Sequence, residues 1–135
     1  GRALVTQTWE LVLDAFPAGP IRLPLAPLQS ITSVTYWGAT GIEQTLDPAA
    51  YAVDSASDAG WLAPADAWPA TWGSMNAVAI RFVAGYGNAA AVPAQLKSAI
   101  LARVQADYEA QPDDAVTLRE SAQRLAFPMR RLVLA

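Results

Sequence analysis

The sequence predicts an α+β fold, in which antiparallel β hairpins or a sheet are followed by a long helix and a short C-terminal helical segment. Up to residue 92, short runs alternate apolar and polar residues between prolines and glycines, a pattern typical of antiparallel strands. From Pro93 onward, apolar residues recur at helical spacing. The 135 residues are 53% hydrophobic and 16% charged, which suits one folded domain. We therefore predict a single domain over residues 1–135, mainly β in 1–92 and mainly helical in 93–135.

The β part contains a series of predicted strands. They occupy residues 6–13, 21–23, 31–37, 42–46, 51–54 and 77–83, with a further strand beginning at residue 60. The loop at 38–41 contains two glycines, so the strands on either side of it are expected to form a hairpin. Residues 77–83 show the clearest pattern, because Val78, Ile80 and Phe82 alternate with a second set of residues. That set is Ala79, Arg81 and Val83.

The helical part begins at Pro93, which suits a first helical position because its missing N–H is harmless there. Four apolar residues then recur at four-residue spacing and form an apolar stripe. These are Leu96, Ile100, Val104 and Tyr108. The helix should end by Gln111, since Pro112 disfavours helix in the residue before it. The run TLRE at 117–120 fits a capping box and predicts a short helix starting there, which Pro128 interrupts.

The residue types exclude the common kinds of catalytic site. The sequence has no histidine and no cysteine, so the usual hydrolase triads and thiolate metal sites are excluded. A Ser–Lys pair would need Lys97, the sole lysine, and adjacent helical residues such as Ser98 point apart. Asp113 and Asp114 lack EF-hand spacing, and GYGN at 85–88 lacks the lysine of a phosphate loop. We predict that the chain is not an enzyme and uses no cofactor or metal.

Charge and hydropathy restrict the partners. The net charge of −3 argues against a dedicated nucleic-acid binder, although it suits a protein through which DNA merely passes. No apolar run approaches the roughly 20 residues needed to cross a bilayer, and the Thr6–Gln7 pair interrupts any apolar region of a signal peptide. We therefore expect no membrane partner.

Five tryptophans in 135 residues point to contact surfaces. Aromatic residues are enriched at subunit interfaces, and we interpret these mainly as packing or subunit-contact residues. The alternative is a carbohydrate- or surface-binding β module that stacks sugars on Trp61, Trp68 and Trp72.

The C-terminal segment has a basic bias. Between residues 119 and 131, only Glu120 opposes Arg119, Arg124, Arg130 and Arg131. Such a segment suits three roles, which are binding DNA, docking on an acidic protein collar, or forming a solvated helix face. The residues alone leave these alternatives open.

Several segments resemble the head–tail connector (adaptor) family of tailed bacteriophages. In chain order, they are GRALVTQTW (1–9), PIRLP (20–24), PLQSI (27–31), LDP (46–48), YAVD (51–54), FVAGYG (82–87), VP (92–93) and AIL (99–101). They look like the family's opening strand, its next block, its hairpin return and its sheet-to-helix junction. The similarity covers most of residues 1–111 and is looser at LAFP (125–128).

The resemblance implies a structural ring subunit, commonly of twelve copies, beneath the portal of the capsid. Such a ring joins the portal to the next connector, stopper or tail component and continues the DNA channel without specific DNA binding. It implies a place in the neck of the virion, reached from the host cytoplasm during assembly. It also implies an N-terminal helical pair ahead of the GRAL stretch, which is missing from these residues.

Within that expectation we assign two groups of interface residues. Tyr36, Trp37 and Trp61 are expected to contact the neighbouring copy. A C-terminal group is expected to dock on the portal or on the next ring, and it consists of Arg119, Arg124, Phe127, Arg130 and Arg131.

Overall fold

The computed structural model describes residues 1–57, 59–108 and 112–129 of the chain. The chain divides into two compact units, Gly1–Tyr86 and Gly87–Ala135. In the described residues these contain the strands β1 (Gln7–Leu13), β2 (Ile21–Arg22), β3 (Leu28–Trp37), β4 (Glu43–Thr45), β5 (Tyr51–Asp54), β6 (Trp61–Pro64) and β7 (Val78–Ala84), and the helices α1 (Ala94–Tyr108) and α2 (Pro112–Ala126). Single turns of 3-10 helix lie at Pro48–Ala50, Ala89–Ala91 and Phe127–Met129. The predicted α+β class is confirmed.

The strands of the first unit form two antiparallel sheets in the described part of the chain. One has the order β1-β7-β3-β4 and the other the order β2-β6-β5. The hairpin expected from the glycine loop is present, with Thr35 of β3 opposite Thr45 of β4. Strand β7 lies between β1 and β3, and its Val78, Ile80 and Phe82 are fully buried. The regular alternation in β7 therefore marks the centre of the sheet.

Strand β3 is longer than expected and irregular. Its pairing with β7 shifts register twice, between Leu28 and Ser30 and between Ile31 and Ser33. Each shift adds a residue to β3, and such bulges change which face the following side chain occupies. Leu28, Ile31 and Val34, each three residues apart, consequently all pack into the same core.

Both sheets contribute to that core. Leu62 of β6 is fully buried, as are Val34 and Phe82 of the larger sheet, and all three belong to one apolar cluster. A buried phenylalanine such as Phe82 typically contributes about 3–5 kcal/mol relative to alanine.

Helices α1 and α2 pack through alanines in the second unit. Ala99 and Ala106 of α1 and Ala115 and Ala122 of α2 are all buried. The apolar stripe of larger residues predicted on α1 is not its buried face, since Ile100, Val104 and Tyr108 are exposed by 45%, 48% and 85%. The physical reason is side-chain size, because alanine allows the two helix backbones to approach closely.

The second helix begins earlier than the capping-box pattern predicted. It starts at Pro112 rather than at Thr117, and each of the two helices has 15 residues. Proline is tolerated in a first helical turn, so Pro112 begins this helix instead of delaying it. Thr117 lies inside the helix, where its backbone carbonyl accepts a hydrogen bond from the Ser121 hydroxyl at 2.9 Å.

Candidate interaction surfaces

The described residues offer exposed apolar surface rather than buried polar groups. Within residues 1–57, 59–108 and 114–128, whose side chains the structure describes, no polar or charged side chain is buried. The same residues contain no cluster of three or more side chains of the types that bind metal ions. No described helix is long and apolar enough to cross a membrane. Large hydrophobic side chains, in contrast, are exposed in several places.

Tyr36, expected at a contact between copies, lies in the core. It is only 9% exposed, and its ring meets the ring of Phe16 edge-on with 5.6 Å between centroids. Its hydroxyl donates a hydrogen bond to the Gln44 side-chain oxygen on the neighbouring strand at 2.8 Å. Because ring and hydroxyl are both engaged within the subunit, we assign Tyr36 to packing.

Trp68 also serves the fold. Its ring stacks on Phe16 with 4.8 Å between centroids and an angle of 4° between the planes. The indole N–H donates to the carbonyl oxygen of Gly19 at 3.0 Å, which ties the loop after β6 to the turn before β2. One face of this tryptophan is therefore covered and its polar group is satisfied, so it is only partly available to a sugar ring.

Trp37 forms part of an apolar surface at the tip of the β3–β4 hairpin. The backbone carbonyl of Trp37 accepts a hydrogen bond from the Trp72 N–H at 2.8 Å, which brings a distant loop onto the hairpin. Trp37, Ile42, Trp72 and Met75 are exposed by 44%, 63%, 49% and 83%. We call these four residues the hairpin-tip surface.

An open groove of about 660 Å³ lies on the hairpin-tip surface. The described residues that line it are all uncharged, and they are Trp37, Thr40, Gly41, Trp72, Ser74, Met75 and Asn76. Gly41 has a positive φ of 74°, and a side chain there would lie 3.6 Å from the Trp72 ring. The glycine therefore allows the hairpin to turn directly beneath the tryptophan.

Trp61 lies on the smaller sheet and is not among the described residues that line the groove. It is 36% exposed and pairs in register with Arg22 of β2 and Asp54 of β5. The Arg22 guanidinium lies 5.9 Å from the centre of the Trp61 ring, within the range of a cation–π contact. Trp61 is thus accessible, and charged residues accompany it on both neighbouring strands.

Arg119 is engaged within the helical unit. Its guanidinium donates to Asp107 at 3.1 Å, and Arg103 donates to the other oxygen of the same carboxylate at 2.7 Å. The hydrogen bonds from Arg103 and then from Arg119 lower the pKa of Asp107 below its ordinary value. The bridge joins α1 to α2, so Arg119 positions the two helices.

Arg124 and Phe127 remain accessible near the end of α2. The Arg124 side chain is 81% exposed, with a long ion pair of 3.5 Å to Glu120, and Phe127 is 62% exposed. With Glu120 and Gln123 they line a groove of about 340 Å³. Arg130 and Arg131 lie outside the described residues.

A second exposed apolar surface lies on α1 and was not expected from the sequence. Ile100, Leu101, Val104 and Tyr108 are exposed by 45%, 68%, 48% and 85%. At about 100° per residue, they fall within roughly 100° of the helix circumference. We call these four residues the α1 outer face.

Ile42 and Met75 were likewise missed by sequence reasoning, because single apolar residues in loops carry no periodic signal. Trp72 was noted only as a sugar-stacking candidate. Their grouping depends on the loop–hairpin hydrogen bond between Trp72 and Trp37, which residue spacing does not reveal.

Comparisons with known proteins identify the fold. No family model and no curated protein matches the chain. Among solved structures, a chain in the virion of a native gene transfer agent (GTA) particle has a TM-score of 0.72 and 22% identity over 99% of this chain and 70% of its own. A chain in the neck of a native GTA particle, computed with C12 symmetry, has a TM-score of 0.69 and 21% identity over 99% of this chain and 74% of its own. A chain in the neck of an empty GTA particle, computed with C6 symmetry, has a TM-score of 0.71 and 23% identity over 99% of this chain and 70% of its own. The chain thus shares the fold of these three over nearly its whole length.

Proposed function

We propose that this chain is a structural subunit of the neck of a phage-like particle. Twelve copies form a ring that joins the portal to the next neck or tail component and continues the DNA channel. The observation that carries the proposal is the fold shared with chains of GTA virion and neck structures over 99% of this chain. The C12 and C6 symmetry of two of those neck structures supports a ring.

The surfaces of this chain support an assembly role. Closed rings use heterologous contacts, so each copy needs two different faces that complement each other. The described residues carry one apolar surface in each unit, the hairpin-tip surface in the first and the α1 outer face in the second. The net charge of −3 supports a channel wall that does not hold the phosphates of passing DNA.

The end of the chain is the proposed docking element for the portal or the next ring. Arg124 and Phe127 are exposed there, and Arg130 and Arg131 follow in the sequence. Arginine and aromatic side chains are enriched among the residues that dominate binding energy at interfaces. Arg119 is left out of this element because it is engaged by Asp107.

Electron microscopy of the particle that carries this chain tests the proposal. We expect the chain as a ring at the neck, next to the capsid vertex. Particles from an Arg130→Glu, Arg131→Glu variant should lack the ring, although the isolated variant keeps its circular dichroism spectrum and melting temperature. Arg81→Glu is the matched control, because it reverses an exposed arginine on β7 whose ion pair with Glu10 contributes little. Density for this chain elsewhere in the particle would overturn the proposal.

A further inference from the structure

Helix α1 has two apolar faces of different kinds, and only one of them is used within the described helical unit. Ala99 and Ala106 lie on the face that is buried with the alanines of α2. The α1 outer face lies on the opposite side of the same helix and carries the larger residues Ile100, Leu101, Val104 and Tyr108. A helix that is apolar on opposite sides is typical of a position between two packed layers.

Helix α2 provides a comparison within the same unit. Its outward side carries Glu120, Gln123 and Arg124 beside one exposed valine, Val116, and the Glu120–Arg124 ion pair at 3.5 Å lies on the surface. This is the ordinary composition of a solvated helix face. The α1 outer face is therefore more apolar than the outward side of α2, which indicates that a partner packs on α1.

The hairpin-tip surface matches the α1 outer face in size and charge. With a fully exposed large side chain taken as roughly 200 Å², the exposed fractions correspond to about 500 Å² for each surface. Neither set of four residues contains a charged side chain. Pairing the two surfaces would bury about 1,000 Å² in total, which is the lower end for a specific interface.

From these observations we propose that the α1 outer face of one copy packs on the hairpin-tip surface of the next copy. The proposal rests on the proposed ring function and names the contact between its copies. Because the two surfaces differ, the contact is heterologous and repeats from copy to copy, as a ring requires. The flexible Met75 side chain adapts to irregular shapes, so it and the two tryptophans of the hairpin-tip surface can pack against the aliphatic side chains of α1.

The absence of cysteine from the sequence allows a direct test by site-specific crosslinking. Met75→Cys places one thiol on the hairpin-tip surface, and Val104→Cys places one on the α1 outer face. The two variants are mixed and treated with a short bismaleimide. We expect a heterodimer in several-fold excess over the product from Met75→Cys mixed with Gln123→Cys, which carries its thiol on the polar side of α2. A chain with both Met75→Cys and Val104→Cys should form a ladder beyond the dimer.

Three results would overturn the proposed contact. One is crosslinking of the mixture no stronger than that of the Gln123→Cys control. Another is preferential homodimers of Val104→Cys alone, which indicate a symmetric contact between two α1 helices. The third is a double variant that closes only on itself, within one chain. Circular dichroism of each variant confirms that the fold is retained.

The outcome separates this inference from the proposed function. A ring observed at the neck without the expected crosslink leaves the function in place and removes this contact. The expected crosslink in a chain located elsewhere in the particle leaves the contact in place and removes the neck function.

Discussion

Replacing Ala106 by leucine tests whether the buried alanines between α1 and α2 hold the second unit together. We call these four residues, Ala99, Ala106, Ala115 and Ala122, the alanine seam. Ala106 is 4% exposed and packs where α1 meets α2. Leucine adds three carbons at a position that is almost fully buried, so it forces the helices apart or strains their side chains. The spreading would also lengthen the bridge from Arg119 to Asp107, now 3.1 Å.

The expected cost is a large fraction of the stability of this unit. Overpacking of a buried position typically costs about 1–3 kcal/mol, whereas a unit of about 50 residues has a total stability of only a few kcal/mol. Ile100→Ala is the matched control on the opposite side of α1. Ile100 is 45% exposed, so truncation removes roughly 1 kcal/mol of apolar burial, and the better helix propensity of alanine returns about 0.4 kcal/mol.

The two variants are compared by urea unfolding followed by far-ultraviolet circular dichroism, at concentrations where the chain sediments as a monomer. We expect Ala106→Leu to lower the free energy of unfolding by more than Ile100→Ala does. If the large stripe formed the buried seam instead, Ile100→Ala would cost about 2–5 kcal/mol. The reverse order of the two variants would therefore refute the alanine seam.

Substitutions at three further sites, one of them with a control at Gly19, test other parts of the structure. Hydrogen bonds from Arg103 and Arg119 lower the pKa of Asp107 in the folded chain. The contribution of Asp107 to the free energy of unfolding is therefore present above the ordinary carboxyl pKa and is lost as the pH falls through the lowered pKa. On acidification, the urea midpoint of Asp107→Asn should fall less than that of the parent chain. Gly85→Ala should destabilise the first unit by more than about 1 kcal/mol, because φ is +125° there and a Cβ would collide with the Val5 backbone. Gly19→Ala is the control. A Cβ at Gly19 would meet nothing within 4 Å, so this variant should leave the melting temperature nearly unchanged. Trp68→Phe should cost about 1 kcal/mol for the lost indole hydrogen bond, and Trp68→Ala clearly more, as measured by thermal melting.

The β part of the fold could be predicted from local patterns, because alternation and turn residues act over a few positions. Val78, Ile80 and Phe82 were expected to share one face, and they are fully buried in the central strand. The division into two sheets, with β7 between β1 and β3, could not be predicted, since it depends on pairing between distant segments. The two bulges of β3 were also hidden, because they break the alternation on which the prediction relied.

The candidate surfaces were harder to predict, since exposure depends on which faces the fold covers. Tyr36 and Trp37 are adjacent in sequence and both aromatic, yet one is 9% exposed and the other 44%. Only the pleat of β3 separates them, and the side that faces the core is set by its pairing with β7. Arg119 and Arg124 likewise looked equivalent, although Asp107 engages the first and leaves the second on the surface.

The helical unit shows why apolar periodicity alone does not identify the buried face. Ala99 and Ala106 lie seven residues apart on α1, as do Ala115 and Ala122 on α2, so each helix carries one narrow stripe of small residues along its length. Small side chains bury little area each, but they bring the helix axes close and allow the Asp107 bridge to form across the seam. The large residues of α1 then remain outside, where they add far more apolar area to a contact with another molecule than alanine would. In the proposed ring this distribution has a physical reason, because small residues stabilise the pair of helices within one copy and the large residues remain for contact with the next copy.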